Sequence, residues 1–197
     1  MARSREQTRA RLLAAAHEVF GEVGLGAASV EEICERAGFT RGAFYSNFES
    51  KDELFLALIT QLASEKLDEV EGRVRVLDAG DPVQLVRQIA DLSLAERMEP
   101  QLLSEIRTQA LRDETLAAAF LAWRETMRVR VEAIISAVTV AHGIRLRMPL
   151  PDAAQLLLDV SEECSVRSSL EGKSKRQANA AMQSRLEQLV QLLVDDR

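Results

Sequence analysis

Two short helical segments with separate start signals, joined by three residues, constrain this chain of 197 residues more than any other feature. Ser29 and Glu32 have the spacing of a capping box, in which each side chain bonds the other residue's backbone N–H and a helix begins. Apolar residues follow with helical spacing until Gly38 ends the segment after two turns. Thr40 can cap a second segment over residues 41–47. Helices this short are stable only when packed against neighbours, so the pattern predicts a helix-turn-helix within a compact unit.

Aromatic residues place that compact unit at the N-terminus. Six of the eight aromatic side chains lie in the first 55 residues, where bulky groups can fill a core made by short helices: Phe20, Phe39, Phe44, Tyr45, Phe48 and Phe55. Upstream, residues 5–24 have one apolar helical face and a stop at Gly24. A second capping box, Ser50 with Glu53, opens a long helix near Lys51. We predict one domain over residues 1–50 and another over residues 51–197.

The rest of the chain also has helical periodicity. Gly and Pro together number only 13, and aromatics are scarce, so the residues that turns and strands need are missing. Apolar stripes at helical spacing mark segments near residues 83–90, 102–110, 116–138, 156–164 and 182–193. The sequence therefore predicts an all-α chain of about nine helices, with three in the N-terminal domain and the others in a C-terminal bundle.

The net charge of −6 argues against a nucleic-acid partner only if it is spread evenly. Residues 1–51 hold seven Lys or Arg and seven Glu, so their net charge is zero, and the first 17 residues alone carry +3. The acidity belongs to the remainder of the chain. The N-terminal arginines predict a basic arm for a DNA backbone or minor groove: Arg3, Arg5, Arg9 and Arg11.

The second short helix has the residues of a DNA-reading element. Arg41 lies at its start, where recognition helices reach base edges, and Gly42 lets the backbone come close to DNA. Helix N-termini offer N–H groups to phosphate, and a lysine adds a cation. The other candidate contacts are polar residues: Ser29, Thr40, Tyr45, Ser46, Asn47 and Lys51. Spacing alone leaves a second interpretation open, in which this is an ordinary helical hairpin with a solvated face.

The segment from Gly38 to Lys51 resembles the signature of TetR/AcrR-type transcriptional regulators. That signature is Gly, an apolar residue, Ser or Thr, three variable positions, an apolar or aromatic residue, Tyr, two polar positions, Phe, any residue, a small polar residue and Lys. The Arg-rich first helix and residues 29–33 fit the same pattern, so the resemblance covers about 45 residues. It implies an all-helical homodimer that binds operator DNA, most often as a repressor released by a small-molecule effector.

The resemblance also implies roles for individual residues. Ser29, Tyr45 and Lys51 would contact phosphates, while Thr40, Arg41 and Gly42 would face base edges or the DNA backbone. Asn47 departs from the His or Tyr that is frequent at its position, although an amide can still donate to phosphate or pair with adenine. The dimer contact would lie in the last two helices, about residues 151–170 and 177–194. Their Leu stripes fit an internal core equally well.

The effector site is the least defined part of the sequence. Phe120, Trp123 and Met127 share one helical stripe, which is typical of plain core but is also a candidate pocket wall. Further candidates for ligand contact are Arg107, Ser161 and Cys164. A transcriptional activator of the same family, and a helical ligand-binding or adaptor protein that does not use DNA, are the alternative functions.

Several classes of function lack their sequence signals. His17 and His142 have no partners at metal-ligand spacing, and no nucleophile elbow or Walker-type loop occurs. Cys34 and Cys164 are 130 residues apart, which predicts neither a disulfide framework nor a zinc site. No apolar run approaches the length of a membrane span. We expect no enzyme activity, no metal, no cofactor, no membrane partner and a cytoplasmic location.

Overall fold

The computed structural model describes residues 2–74 and 100–195, with side chains described for residues 5–72 and 100–195. These ranges contain eight helices, and their only extended pairing is an isolated bridge between Leu146 and Val194. The helices are α1 (Ala2–Ala27), α2 (Val30–Ala37), α3 (Arg41–Tyr45), α4 (Lys51–Val74), α5 (Pro100–Ala110), α6 (Glu114–His142), α7 (Leu150–Leu170) and α8 (Lys175–Leu193). The predicted all-α architecture is confirmed. The helix predicted near residues 83–90 lies outside the described residues.

Local hydrogen bonds explain where α2 and α4 begin. The predicted capping box is present, since the Glu32 N–H donates to Ser29 Oγ at 3.2 Å and the Ser29 N–H donates to Glu32 Oε2 at 2.8 Å. The box predicted at Ser50 is only half formed. The Glu53 N–H donates to Ser50 Oγ, but the Glu53 carboxylate accepts from the N–H of Glu49. One N–H group in the first turn of α4 and one ahead of the helix are thereby satisfied.

Helix α3 ends two residues earlier than the sequence predicts. The Ser46 hydroxyl donates to the Gly42 carbonyl and the Asn47 amide donates to the Ala43 carbonyl, both at 2.8 Å. Side chains that donate to backbone carbonyls in this way compete with the backbone hydrogen bonds of a helix. The chain therefore leaves the helix after Tyr45 and turns Phe48 into the core, where it is 1% exposed.

The described residues pack as two compact units. The first contains α1, α2, α3, α4 up to Leu62, α5 from Gln101, and α6 up to Trp123; the second contains the remainder of α4 and α6 together with α7 and α8. The functional boundary predicted between residues 50 and 51 stays a prediction. In the first unit four phenylalanines are at most 1% exposed: Phe20, Phe44, Phe48 and Phe55. The rings of Phe20 and Phe55 meet edge to face at 5.6 Å, which joins α1 to α4.

Ion pairs and small residues shape the second unit. Arg130 on α6 pairs with Asp68 of α4 at 2.7 Å, and Arg124 pairs with Glu162 of α7 at 2.6 Å. Helices α7 and α8 pack against each other, with Ala153 and Ala154 of α7 and Met182 and Leu193 of α8 among the buried residues. None of the described helices combines the length and the apolar character needed to cross a membrane.

Helix α1 is interrupted at Gly24, where the sequence predicts its end. Gly24 has φ 80° and ψ 163°, a conformation open almost only to glycine, and one more helical turn runs to Ala27. The Gly26 N–H, in the turn after this break, donates to Glu105 Oε2 of α5 at 3.1 Å. A groove of about 410 Å³ lies beside this contact, between α1 and α5.

Gly24→Ala should lower the free energy of unfolding by about 1–3 kcal/mol, the cost of a side chain in this backbone region. The new Cβ would also lie 2.8 Å from Glu105 Oε1. Gly26→Ala is the matched control, because Gly26 has no positive φ and its Cβ would meet nothing within 4 Å. We expect the control to hold stability constant or raise it by up to about 1 kcal/mol. Equal stabilities in urea denaturation would contradict this account of the break.

Candidate nucleic-acid interface

The residues of α3 divide into a buried anchor and an exposed polar surface. Phe44 is fully buried and packs against Phe48 and Tyr45 at ring-centroid distances of 5.9 and 5.2 Å. Five of the predicted DNA contacts are exposed together around α3: Thr40, Arg41, Gly42, Tyr45 and Ser46. We call these five residues the recognition surface. Tyr45 is 50% exposed although it is aromatic, as the sequence predicts for a residue with no place in the core.

Arginines of α1 hold the ends of α2 and α3. Arg5 donates to the Ser46 carbonyl at 3.0 Å, and Arg9 donates to the Asn47 carbonyl at 3.1 Å while lying 4.2 Å over the Phe48 ring. Arg11 donates to the Ala37 carbonyl at the end of α2, at 2.8 Å. Carbonyls at helix C-termini lack intrahelical donors and carry partial negative charge, so guanidinium groups stabilise them.

These contacts engage three of the four arginines predicted to form a basic arm, and the arm itself stays a prediction. Residues 2–27 are assigned to helix α1, and the described arginines Arg5, Arg9 and Arg11 donate to carbonyls of the chain itself. Arg5 is exposed, and a contact of its guanidinium with DNA stays a prediction. The side chain of Arg3 lies outside the described side chains.

Lys51 has a structural role that the sequence did not indicate. Its ammonium donates to the carbonyls of Leu25 at 2.6 Å and Ala28 at 2.8 Å, and so ties the start of α4 to the end of α1. An ammonium has three N–H donors, which leaves one for a phosphate. The phosphate contact of Lys51 stays a prediction. Its partners lie 23 and 26 residues away, and no local pattern of spacing points to them.

Three further predicted contacts are engaged within the protein. The Ser29 hydroxyl donates to Glu32 at 2.7 Å, and these Ser29 hydrogen bonds hold the pKa of Glu32 below its usual value. Thr40 Oγ1 accepts from the Ala43 N–H at 3.3 Å as the N-cap of α3. Asn47 donates to Ala43, and its Oδ1 is buried without a hydrogen-bond partner, so its amide does not extend from the recognition surface. A DNA contact by Asn47 stays a prediction that requires the side chain to rotate.

Arg41 is held at the recognition surface by an acidic residue of α2. Its Nη1 lies 2.7 Å from Glu31 Oε1, and its guanidinium carbon lies 5.9 Å from the centre of the Tyr45 ring. The Tyr45 hydroxyl and the charge of Glu31 both raise the pKa of Arg41. Sequence reasoning missed Glu31. The available signal was an extra carboxylate in the first turn of α2 beside the capping Glu32.

The predicted ligand contacts fall in different units, so their shared pocket stays a prediction. In the first unit Phe120 stacks on Trp123 at 5.6 Å, and the buried Trp123 Nε1 has no hydrogen-bond partner; Arg107 is exposed. In the second unit Met127 is buried, Ser161 donates to the Leu157 carbonyl, and burial raises the pKa of the Cys164 thiol. The described side chains include no cluster of three or more metal-binding groups.

Lys51→Met should lower the free energy of unfolding by about 1.5–3 kcal/mol, because it keeps the apolar stem but removes hydrogen bonds from a charged donor. Lys175→Met, at an exposed lysine that begins α8, is the matched control and should change stability by less than about 0.5 kcal/mol. Urea denaturation of both variants measures the difference. Unchanged stability in Lys51→Met, with weakened DNA binding, would show that the ammonium serves DNA rather than the fold.

Known proteins share this N-terminal architecture. The sequence model described as "Bacterial regulatory proteins, tetR family" matches residues 12–58. The transcriptional regulator AcrR of Shigella flexneri is 36% identical over 84 residues, which are 43% of this chain and 39% of that protein. The transcriptional activator FasR of Mycolicibacterium smegmatis is 38% identical over 71 residues, 36% of this chain and 32% of FasR. The chain thus matches less than two fifths of the length of each of these two relatives.

The full described fold also has known counterparts. A TetR transcription regulator from Haloarcula marismortui superposes with a TM-score of 0.73, covering 96% of this chain and all of the other. Its identity of 17% shows the shared fold alone. The family match includes the Phe20 anchor of α1, the helix-turn-helix and the start of α4. The N-terminal match, the relatives and the all-helical fold together support a TetR/AcrR-family transcriptional regulator.

Proposed function

We propose that this protein is a cytoplasmic, dimeric, sequence-specific repressor that binds operator DNA through the recognition surface and is released by a small-molecule effector. The observation that carries the proposal is the exposed face of α3. Arg41 and Tyr45 point outward from a helix whose other face is anchored by the fully buried Phe44. A helix presented in this way suits the major groove.

The residues of the recognition surface would have different roles in binding DNA. Arg41, at the start of α3, would read base edges, since Arg makes bidentate contacts with guanine. Gly42 lacks a Cβ and would let the backbone come close to the groove. The Tyr45 and Ser46 hydroxyls would contact phosphates, which fix register but carry no sequence information.

The half-exposed apolar residues of α7 and α8 support a homodimer through these two helices. Several leucines and valines there are neither buried nor fully exposed within one chain: Leu156, Leu157, Val160, Leu186, Leu189 and Val190. A second copy would remove this apolar surface from water. Two recognition surfaces would then meet two half-sites about 34–36 Å apart, one turn of DNA.

The contact between α5 and α1 supports coupling to an effector. Glu105 belongs to the predicted C-terminal domain, yet its carboxylate accepts the Gly26 N–H of α1 at 3.1 Å. An effector that shifts α5 would therefore also shift the helix whose arginines hold α3. Coupling of about 1–3 kcal/mol would weaken DNA binding roughly 5- to 150-fold, and DNA would weaken effector binding by the same factor.

An activator is the second candidate, and one comparison favours it. FasR, which matches the N-terminal part of this chain, is named a transcriptional activator. Repressors and activators would use the same recognition surface, and they differ in where the operator lies relative to the promoter. A transcription assay with the operator placed at its natural position separates the two.

Fluorescence anisotropy on a duplex selected from random sequences by the wild-type protein tests the proposal. We expect two protein chains per duplex. Tyr45→Phe should weaken binding about 5-fold on every duplex that binds, because a lost hydroxyl contact to phosphate is worth about 1 kcal/mol and carries no sequence information. The ring remains, so its packing against Phe44 is kept.

The matched control is Thr60→Val, which removes an exposed hydroxyl that bonds only within α4. We expect it to leave affinity unchanged. A change of sequence preference in Tyr45→Phe would show that this residue takes part in reading bases. Failure of the wild-type protein to select any duplex at low salt would instead favour the ligand-binding or adaptor function.

A further inference from the structure

We propose that Glu31 is a specificity-determining residue, whose carboxylate competes with DNA phosphates for the guanidinium of Arg41. The inference rests on the proposed DNA-binding function. In this account Arg41 leaves Glu31 for a guanine edge in the operator but gains little by leaving it for a phosphate. Glu31 thereby weakens binding to unrelated DNA more than binding to the operator.

The geometry places one carboxylate at the recognition surface. Glu31 lies in the first turn of α2 and Arg41 is the first residue of α3, so their contact bridges the N-terminal ends of both helices. Glu31 Oε1 and Arg41 Nη1 are 2.7 Å apart. The side chains are 58% and 61% exposed, so DNA can reach the pair without any rearrangement of the core.

Glu31 takes no part in the capping box of α2. The capping box of α2 uses the neighbouring Glu32, which bonds both the N–H and the hydroxyl of Ser29. A carboxylate in the first turn favours the helix dipole, but Glu32 already supplies one. Ion pairs exposed to this degree contribute little to folding, because water and salt screen them. The pair is therefore weak enough to exchange partners when DNA arrives.

Competition of this kind acts differently on two classes of DNA. Non-specific binding comes almost wholly from cations that neutralise phosphates, so a guanidinium already paired with Glu31 adds little to it. A bidentate contact of Arg with guanine discriminates between bases roughly 5- to 150-fold, which is enough to displace a solvated carboxylate. The Glu31 charge also repels phosphates within about 8–10 Å, the screening length at physiological salt.

The chain offers a matched control for this test. Glu35 lies on α2 one turn after Glu31, is exposed, and forms no ion pair with any described residue. Glu31→Gln and Glu35→Gln remove the same charge from the same helix face, and only the first releases Arg41. Their affinities are compared on the selected operator and on a scrambled duplex of equal composition, at several salt concentrations.

We expect Glu31→Gln to bind the scrambled duplex about 5- to 10-fold more tightly and the operator at most 2- to 3-fold more tightly. For the scrambled duplex, the slope of log affinity against log salt concentration should become more negative by about 0.9, which is the contribution of one added phosphate contact. Glu35→Gln should change the affinities for both duplexes by the same factor. In an Arg41→Ala background, Glu31→Gln should no longer alter the ratio of the two affinities.

Three results would overturn the inference. Glu31→Gln could change the affinities for both duplexes by the same factors as Glu35→Gln. Glu31 would then act only through its negative charge and not through its contact with Arg41. The change in the ratio of operator affinity to scrambled-duplex affinity could persist in the Arg41→Ala background. Arg41 would then not be the cation for which Glu31 and DNA compete. Glu31→Gln could lower thermal stability markedly and leave the ratio of the two affinities unchanged. The ion pair of Glu31 with Arg41 would then serve to stabilise the fold. If the wild-type protein binds both duplexes equally, the proposed function itself fails, and this result is distinct from the other three.

Discussion

Helix α3 spans five residues, too few to be stable alone, and the site depends on the contacts that hold it from outside. Phe44 anchors its inner face in the aromatic core, and the side chain of Thr40 caps its first turn. Arg5 and Arg9 of α1 bond the carbonyls that follow its last turn. Together these contacts fix the direction in which Arg41 and Tyr45 leave the surface, so the recognition surface is formed before DNA arrives.

The same contacts change how the charge of the N-terminal region is to be understood. Among its described arginines, Arg9 and Arg11 are directed to carbonyls and aromatic rings, and Arg36 is paired with Glu18 and Glu22. Residues 1–51 have no net charge, and the described cations in them have partners within the protein. A surface of this kind has little general attraction for phosphate, so in the proposed function direct contacts to bases would contribute much of the discrimination.

Local signals in the sequence predicted the features that depend on near neighbours. The capping box at Ser29, the end of α2 at Gly38 and the buried Phe44 all follow from patterns a few residues long, and the structure confirms them. The partners of Lys51 and Arg5 lie 23 to 41 residues away, so only the packed chain reveals them. The predicted effector pocket would depend on how whole helices pack. A stripe such as Phe120 and Trp123 looks the same in a plain core and in a pocket wall.

Hydrogen–deuterium exchange on the DNA-free protein tests most directly whether α3 is held in place by its neighbours. The informative amides are those of Ser46 and Phe48, which donate to the carbonyls of Gly42 and Phe44. A pre-formed helix predicts that they exchange at least ~100-fold more slowly than in an unfolded chain, and that operator DNA adds little protection. Exchange at the unfolded rate until DNA is added would contradict the account, because α3 would then fold only on its target.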